Sequence, residues 1–183
     1  VSIKKILGKF LKGRIGKRQA YDREKAVEYA RRWYNDYNPA FPKAEGNDCS
    51  NFISQCLYAG GAPEDRSGVH RWYHGPKIED CSITWTTAHS LYWYLIRERE
   101  KGQGPRGVRV TVEELEIGDL IFYNWEKNED NAFNHSRIVI GFDDDGKPLC
   151  AQHTEGRIDV PWDDNVDENV DFRPVHIMDY FGE

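Results

Sequence analysis

The hydrophobic pattern of this chain changes period once, just past Gly102, and that change limits the fold more than any other feature. Before it, apolar residues recur at helical spacing. From Asp22, placed to cap a helix, residues Ala26, Tyr29, Ala30, Trp33, Tyr34 and Tyr37 mark one face, ended by Asn38-Pro39. A second helix is expected from Cys49 to Ala59, with Phe52, Ile53, Cys56 and Leu57 inward and Gly60-Gly61 as its stop. A third is expected near Thr86 to Lys101, with Ala88, Leu91, Tyr92, Leu95 and Ile96 on one side. Beyond it, Val108–Val112, Asp119–Trp125, His135–Phe142, Pro148–His153 and Asp171–Met178 are short β runs between Gly, Asp and Asn signals. Helices first and an antiparallel sheet afterwards define an α+β class.

At 183 residues the chain fits one domain that needs no disulfide or metal staple. Residues 1–18 stand apart, with seven Lys or Arg and no acid, whereas residues 19–183 carry all 31 acids. Ile3, Ile6, Leu7, Phe10 and Leu11 recur at helical spacing among the lysines. The segment is therefore suited to a cationic amphipathic helix on an anionic membrane surface or a partner, or to docking on its own acidic domain. The division expected is a basic segment, 1–18, and one domain, 19–183. A net charge of −6 lacks the footprint of a nucleic-acid binder. The four cysteines are too widely spaced to fix a redox compartment. No stretch has the roughly 18 apolar residues of a membrane span, and no signal-peptide core opens the chain. A start at Val1 leaves room for a removed leader, so cytoplasm and cell envelope both stay open.

Chemistry concentrates at Gly46-Asn47-Asp48-Cys49-Ser50-Asn51-Phe52, where a loop delivers a cysteine to the first turn of an amphipathic helix. Unpaired amides and the positive end of the helix dipole favour a thiolate there, and the same amides can face an oxyanion. A lone cysteine at a helix start is also a common small buried residue. Asp48 fits an N-cap better than a catalytic acid. A thiol nucleophile needs an imidazole, itself held by a third polar group. His135 opens one β run and His153 ends the next. A three-residue hairpin loop at 144–146, with Gly146 left-handed, would set Asp143 opposite Lys147 and Arg137 opposite His153, with His135 diagonal on the same face. A slip of one residue would separate the two histidines. Arg137 and Gln152 then line the cleft or stand at the surface.

Other signals carry less. His70, His74, Cys81 and His89 form a candidate zinc set, but Gly75-Pro76 interrupts any ligand-bearing helix and the paired-cysteine spacing is missing. The acidic stretch 163–171 lacks the turn Gly and closing Glu of a calcium loop. Trp72, Trp85 and Trp125 are candidates for stacking on a ligand or for packing. Cys56 fits buried packing.

The run Asn47-Asp48-Cys49-Ser50-Asn51-Phe52-Ile53-Ser54-Gln55-Cys56-Leu57-Tyr58-Ala59-Gly60-Gly61, then Trp85, then Gly118-Asp119-Leu120-Ile121, then His135-Ser136, resembles the bacterial putative amidase domain family. The likeness spans residues 22–177 and is most specific at the cysteine. It implies a papain-like cysteine hydrolase fold related to cell-wall endopeptidases, with N-terminal helices packed on a C-terminal antiparallel sheet. It implies Cys49 as nucleophile, His135 as base and a polar residue of the next strand as orienter, a role that falls on His153, which is equally suited to be a core residue. No cofactor is needed. The expected partner is a peptide-like amide, with cell-wall stem peptides leading. An acyltransferase on the same fold and a non-catalytic glycan- or peptide-binding module are the rival classes.

Overall fold

In the computed structural model, which describes residues 19–98, 104–125 and 131–181, helices precede strands as the period change predicts. The reading of residues 1–18 lies outside the described residues. Helix α1, Arg23–Trp33, starts where expected, with Asp22 accepting from the Lys25 amide at 3.1 Å. It buries Ala26, Val27 and Ala30 and stops at Trp33 rather than running to Tyr37. The reason is tertiary: the carbonyls of Trp33 and Asp36 turn to His153, at 2.9 and 3.0 Å. Helix α2, Cys49–Ala59, has the expected bounds. The third expected helix is shorter than its spacing suggests, α4, Ala88–Ile96, and a separate turn, α3, Ile83–Thr86, comes before it.

The sheet has six strands: β2 Gly107–Arg109, β3 Leu120–Asn124, β4 His135–Phe142, β5 Pro148–Gln152, β6 Arg157–Pro161 and β7 Asp171–Ile177. Their order is β2-β7-β3-β4-β5-β6, antiparallel throughout. A separate two-residue pair joins β1, Gln19–Ala20, to β8, Tyr180–Phe181. The architecture is α+β. Strand β6 was not anticipated, because its apolar residues fall among Asp and Arg.

One face of the sheet, carrying Leu120, Phe122, Ile138, Ile140, Ala151, Val175 and Ile177, packs against the helices in the larger core. The other face carries Ile121, Tyr123, Val139 and Cys150 and is covered by Trp162, Val166, Val170 and Phe172. The Gly118-Asp119 pair serves this frame. Gly118 takes φ +83°, and the buried Asp119 carboxylate accepts from Arg23 and the Ile177 amide on one oxygen and from the Glu116 amide and His176 on the other. It ties α1, the turn before β3 and the end of β7 together.

Candidate active site

The cysteine segment is built as a polar brace behind one sulfur. Asp48 occupies the N-cap position, and its carbonyl accepts the first bond of α2 from Phe52. Its carboxylate caps nothing in the helix, contrary to expectation. One oxygen accepts from the Ala44 amide and the Asn51 side chain, at 2.8 and 2.9 Å, and the other lies 2.7 Å from His153 Nδ1. Asn51 Oδ1 in turn accepts from the Trp85 indole, and Ser54 bridges the Trp72 indole to the Trp85 carbonyl. Trp72 and Trp85 are thus packing and bracing residues, fully buried. Trp125 alone of the three reaches the cleft.

Cys49 is 2% exposed. Its thiol lies 3.7 Å from Ser50 Oγ and 3.9 Å from the Asn134 carbonyl, which the thiol can donate to. The sulfur therefore packs against the start of β4, where His135 stands. No hydrogen bond joins it directly to the His135 ring. Burial pushes the thiol up, with hydrogen bonds from Ser50 and Ser136 pulling part of the way back. The thiolate expected from the helix terminus is thus offset by desolvation. The amides of the first turn of α2 still have no carbonyl within the helix to bond, which leaves donors beside the sulfur.

The hairpin forms as expected, with Gly146 at φ +81° and Asp143 paired to Lys147 at 3.0 Å. Phe142 opposes Pro148 and Gly141 opposes Leu149, in the expected register. The register then shifts at Ile140, so that Val139 opposes Cys150 and Ile138 opposes Ala151. Carried forward, the bulge sets Gln152, not His153, across from Arg137. Arg137 Nε donates to Gln152 Oε1 at 2.7 Å, and His135 Nε2 meets the same oxygen at 3.2 Å. His153 falls on the helix-facing side, stacked on Phe52 with centroids 4.5 Å apart and bonded to Asp48. The expectation that His153 orients His135 is corrected: the residue in contact is Gln152. Gly141 inside a strand was the available signal for the bulge.

Gln152 is itself fixed, its Nε2 donating to the Thr154 carbonyl at 3.2 Å. Thr154 and Glu155 both adopt positive φ, 66° and 64°, at the rim of the site. The Thr154 hydroxyl also accepts from the Asp48 amide at 3.3 Å. The consecutive residues Gln152, His153 and Thr154 therefore touch His135 on one side and the start of α2 on the other. A pocket of about 230 Å³, lined by Trp125, His135, Gln152, Glu155, Arg157 and Asn165 among others, opens beside the imidazole. Burial, then the charge of Arg137, pulls His135 down from 6.5 to about 4, against the Gln152 hydrogen bond, which raises it. At neutral pH the site holds a neutral thiol and a neutral imidazole.

Among the described residues, no three His, Cys, Asp or Glu side chains converge as metal ligands, and no helix is long and apolar enough to cross a membrane. His74 packs on Phe41 and Trp85, while His89 contacts Trp93 and the Phe133 amide.

Residues 20–175 match the family model described as a putative amidase domain. The chain belongs to that family. A Bacillus subtilis (strain 168) relative, described as uncharacterized protein YhbB, is 42% identical over 144 residues, covering 76% of this chain. The match spans only 43% of that relative's length. No solved structure matches the chain. The description of that family points, in general terms, to hydrolysis of amide bonds.

Proposed function

We propose that this putative amidase domain is a cysteine hydrolase of papain-like type, with Cys49 as nucleophile, His135 as general base and Gln152 as the residue that orients the base. The observation that carries the reading is the contact of His135 Nε2 with Gln152 Oε1, at the strand start against which the Cys49 sulfur packs. That contact leaves Nδ1 to accept a proton. A helix that begins at the cysteine, an antiparallel sheet and a polar amide on the strand after the histidine support the papain-like comparison.

In this reading Nδ1 takes the thiol proton as sulfur attacks the amide carbon. The first-turn amides of α2 face the oxyanion. The imidazolium then gives its proton to the leaving amine as the C–N bond breaks, and water, deprotonated by His135, releases the acid from the thioester. Because the resting pair is neutral, proton transfer accompanies attack rather than preceding it. The substrate we propose is a peptide-like amide, with bacterial cell-wall stem peptides first among those to try. Docking through the basic residues 1–18 remains part of that proposal.

The test is iodoacetamide labelling of each cysteine across pH, read by peptide mass spectrometry, in the native protein and in His135→Ala. The reading expects Cys49 to outpace the more exposed Cys81 and to slow in the variant. The 2% exposure of Cys49 and its lack of a bond to the ring favour a second reading, a non-catalytic binding module. A Cys49 that labels no faster than Cys81, with no effect of His135→Ala, selects that one.

A further inference from the structure

Arg137 is a cation almost fully buried beside a histidine that the proposed chemistry needs uncharged, an arrangement that is costly unless the guanidinium has work there. Each hydrogen bond it makes ends on an oxygen. NH1 donates to the carbonyls of Pro161 and Trp162, both at 3.2 Å, and of Asp164 at 3.4 Å, and the plane lies over the rings of Tyr123 and Trp125. Its Nε–H points at Gln152 Oε1.

A primary amide can present either its oxygen or its nitrogen to a neighbour, and an imidazole follows by changing tautomer. Here the choice is removed. Arg137 is only a donor, so the Gln152 atom it meets must be the oxygen, and the amide nitrogen is left for the Thr154 carbonyl. Both ends of the amide agree. The same oxygen then faces His135 Nε2, which must carry the hydrogen.

We propose that Arg137 is a positioning residue that locks the Gln152 amide, and through it holds His135 as the Nε2–H tautomer with Nδ1 free to accept a proton. The consequence for catalysis rests on the reading of His135 as base, but the tautomer itself does not. Arg137 also disfavours a second positive charge on the ring. The other charged and titratable groups facing this pair are Asp164, 3.9 Å from Arg137 NH2, Tyr123 and Cys150 behind the guanidinium, and Glu155 and Arg157 on the pocket wall. None donates to the Gln152 oxygen.

The experiment is nitrogen NMR of histidine-labelled full chain, assigned with His135→Ala, in wild type, Arg137→Met and Gln152→Glu. Wild type is expected to show a protonated Nε2 and a bare Nδ1 at neutral pH. In Arg137→Met the Nδ1–H tautomer is expected to become detectable, because the Thr154 carbonyl alone then opposes a turn of the amide. The titration midpoint of His135 is expected to rise above about 4 in that variant, with burial, the larger cause, still holding it below 6.5. Gln152→Glu has no amide to turn and keeps a partner for Arg137, so it covers the case in which Arg137→Met fails to fold. Its tautomer is expected to equal that of wild type. A bare Nε2 in wild type, a pure Nε2–H form in folded Arg137→Met, or a tautomer that differs between wild type and Gln152→Glu overturns the proposal. A correct tautomer beside a Cys49 indifferent to His135→Ala sinks the hydrolase reading and leaves this one standing.

Discussion

Replacing His153 by Phe separates a structural role from a catalytic one. His153 Nε2 faces the carbonyls of Trp33 and Asp36, which only accept, so it carries a hydrogen; Nδ1 faces a buried carboxylate oxygen at 2.7 Å. Removing one partner of a buried pair strands the other and costs roughly 3–5 kcal/mol. Phe keeps the stacking on Phe52, and Asp48 keeps its donors from Ala44 and Asn51, which favours the lower end, about 3 kcal/mol. For a domain of this size that is a fall in Tm of roughly 6–12 °C. The assay pairs a thermal melt with the nitrogen spectrum of His135. The expected result is a large fall in Tm with the His135 tautomer unchanged, since Gln152 is still held by Arg137 and Thr154. A melt within about 2 °C of wild type together with an altered His135 spectrum would refute the reasoning and return the orienting role to His153.

Three further outcomes follow from the geometry. The value of His135 in the folded chain lies below its unfolded one, so unfolding takes up a proton between them; stability is full above 6.5 and declines as pH falls toward about 4. That loss is about 3 kcal/mol, read as the difference between wild type and His135→Gln in urea melts at several pH values. Asp119→Asn is expected to cost about 3 kcal/mol or more, because both carboxylate oxygens face donors and the new NH2 group meets two of them whichever way it turns. A melt unchanged from wild type would remove Asp119 from the frame. Gly156→Ala is expected to lower Tm and to speed Cys49 labelling, since its Cβ would lie 2.8 Å from the Tyr34 carbonyl and push the turn after β5 off α1. Equal labelling rates would show that this turn does not hold α2 in place.

Much of the frame was legible because it rests on local rules. The cap at Asp22, the bounds of α2 and the left-handed Gly146 each depend on a few neighbouring residues, and each is found where those residues put it. What distance decides was not legible. Helix α1 ends early because its last carbonyls serve a histidine 120 residues away. The Asp48 carboxylate leaves its cap role for the same partner, and only the folded chain brings the two within reach. Gln152 is not legible from sequence because an amide on a strand has no motif of its own; its place comes from Arg137 behind it. The sulfur's burial likewise depends on β4, which sequence spacing does not place against the helix start.

The bulge at Ile140 shows how one residue reassigns chemistry without changing composition. With regular pairing from the hairpin, Arg137 would face His153, and Asp48 would lose its imidazole partner. One inserted residue exchanges the faces of Gln152 and His153. The neutral amide goes to the side where His135 stays uncharged beside Arg137, and the imidazole goes to the side where a buried carboxylate waits. Each histidine thereby acquires its own surroundings: His135 Nε2 faces an amide oxygen, and His153 has an oxygen at each ring nitrogen. A bulge beside a site re-aims side chains in this way. In this domain it keeps the groups proposed for catalysis apart from those that hold the start of α2, although the two sets are adjacent in sequence.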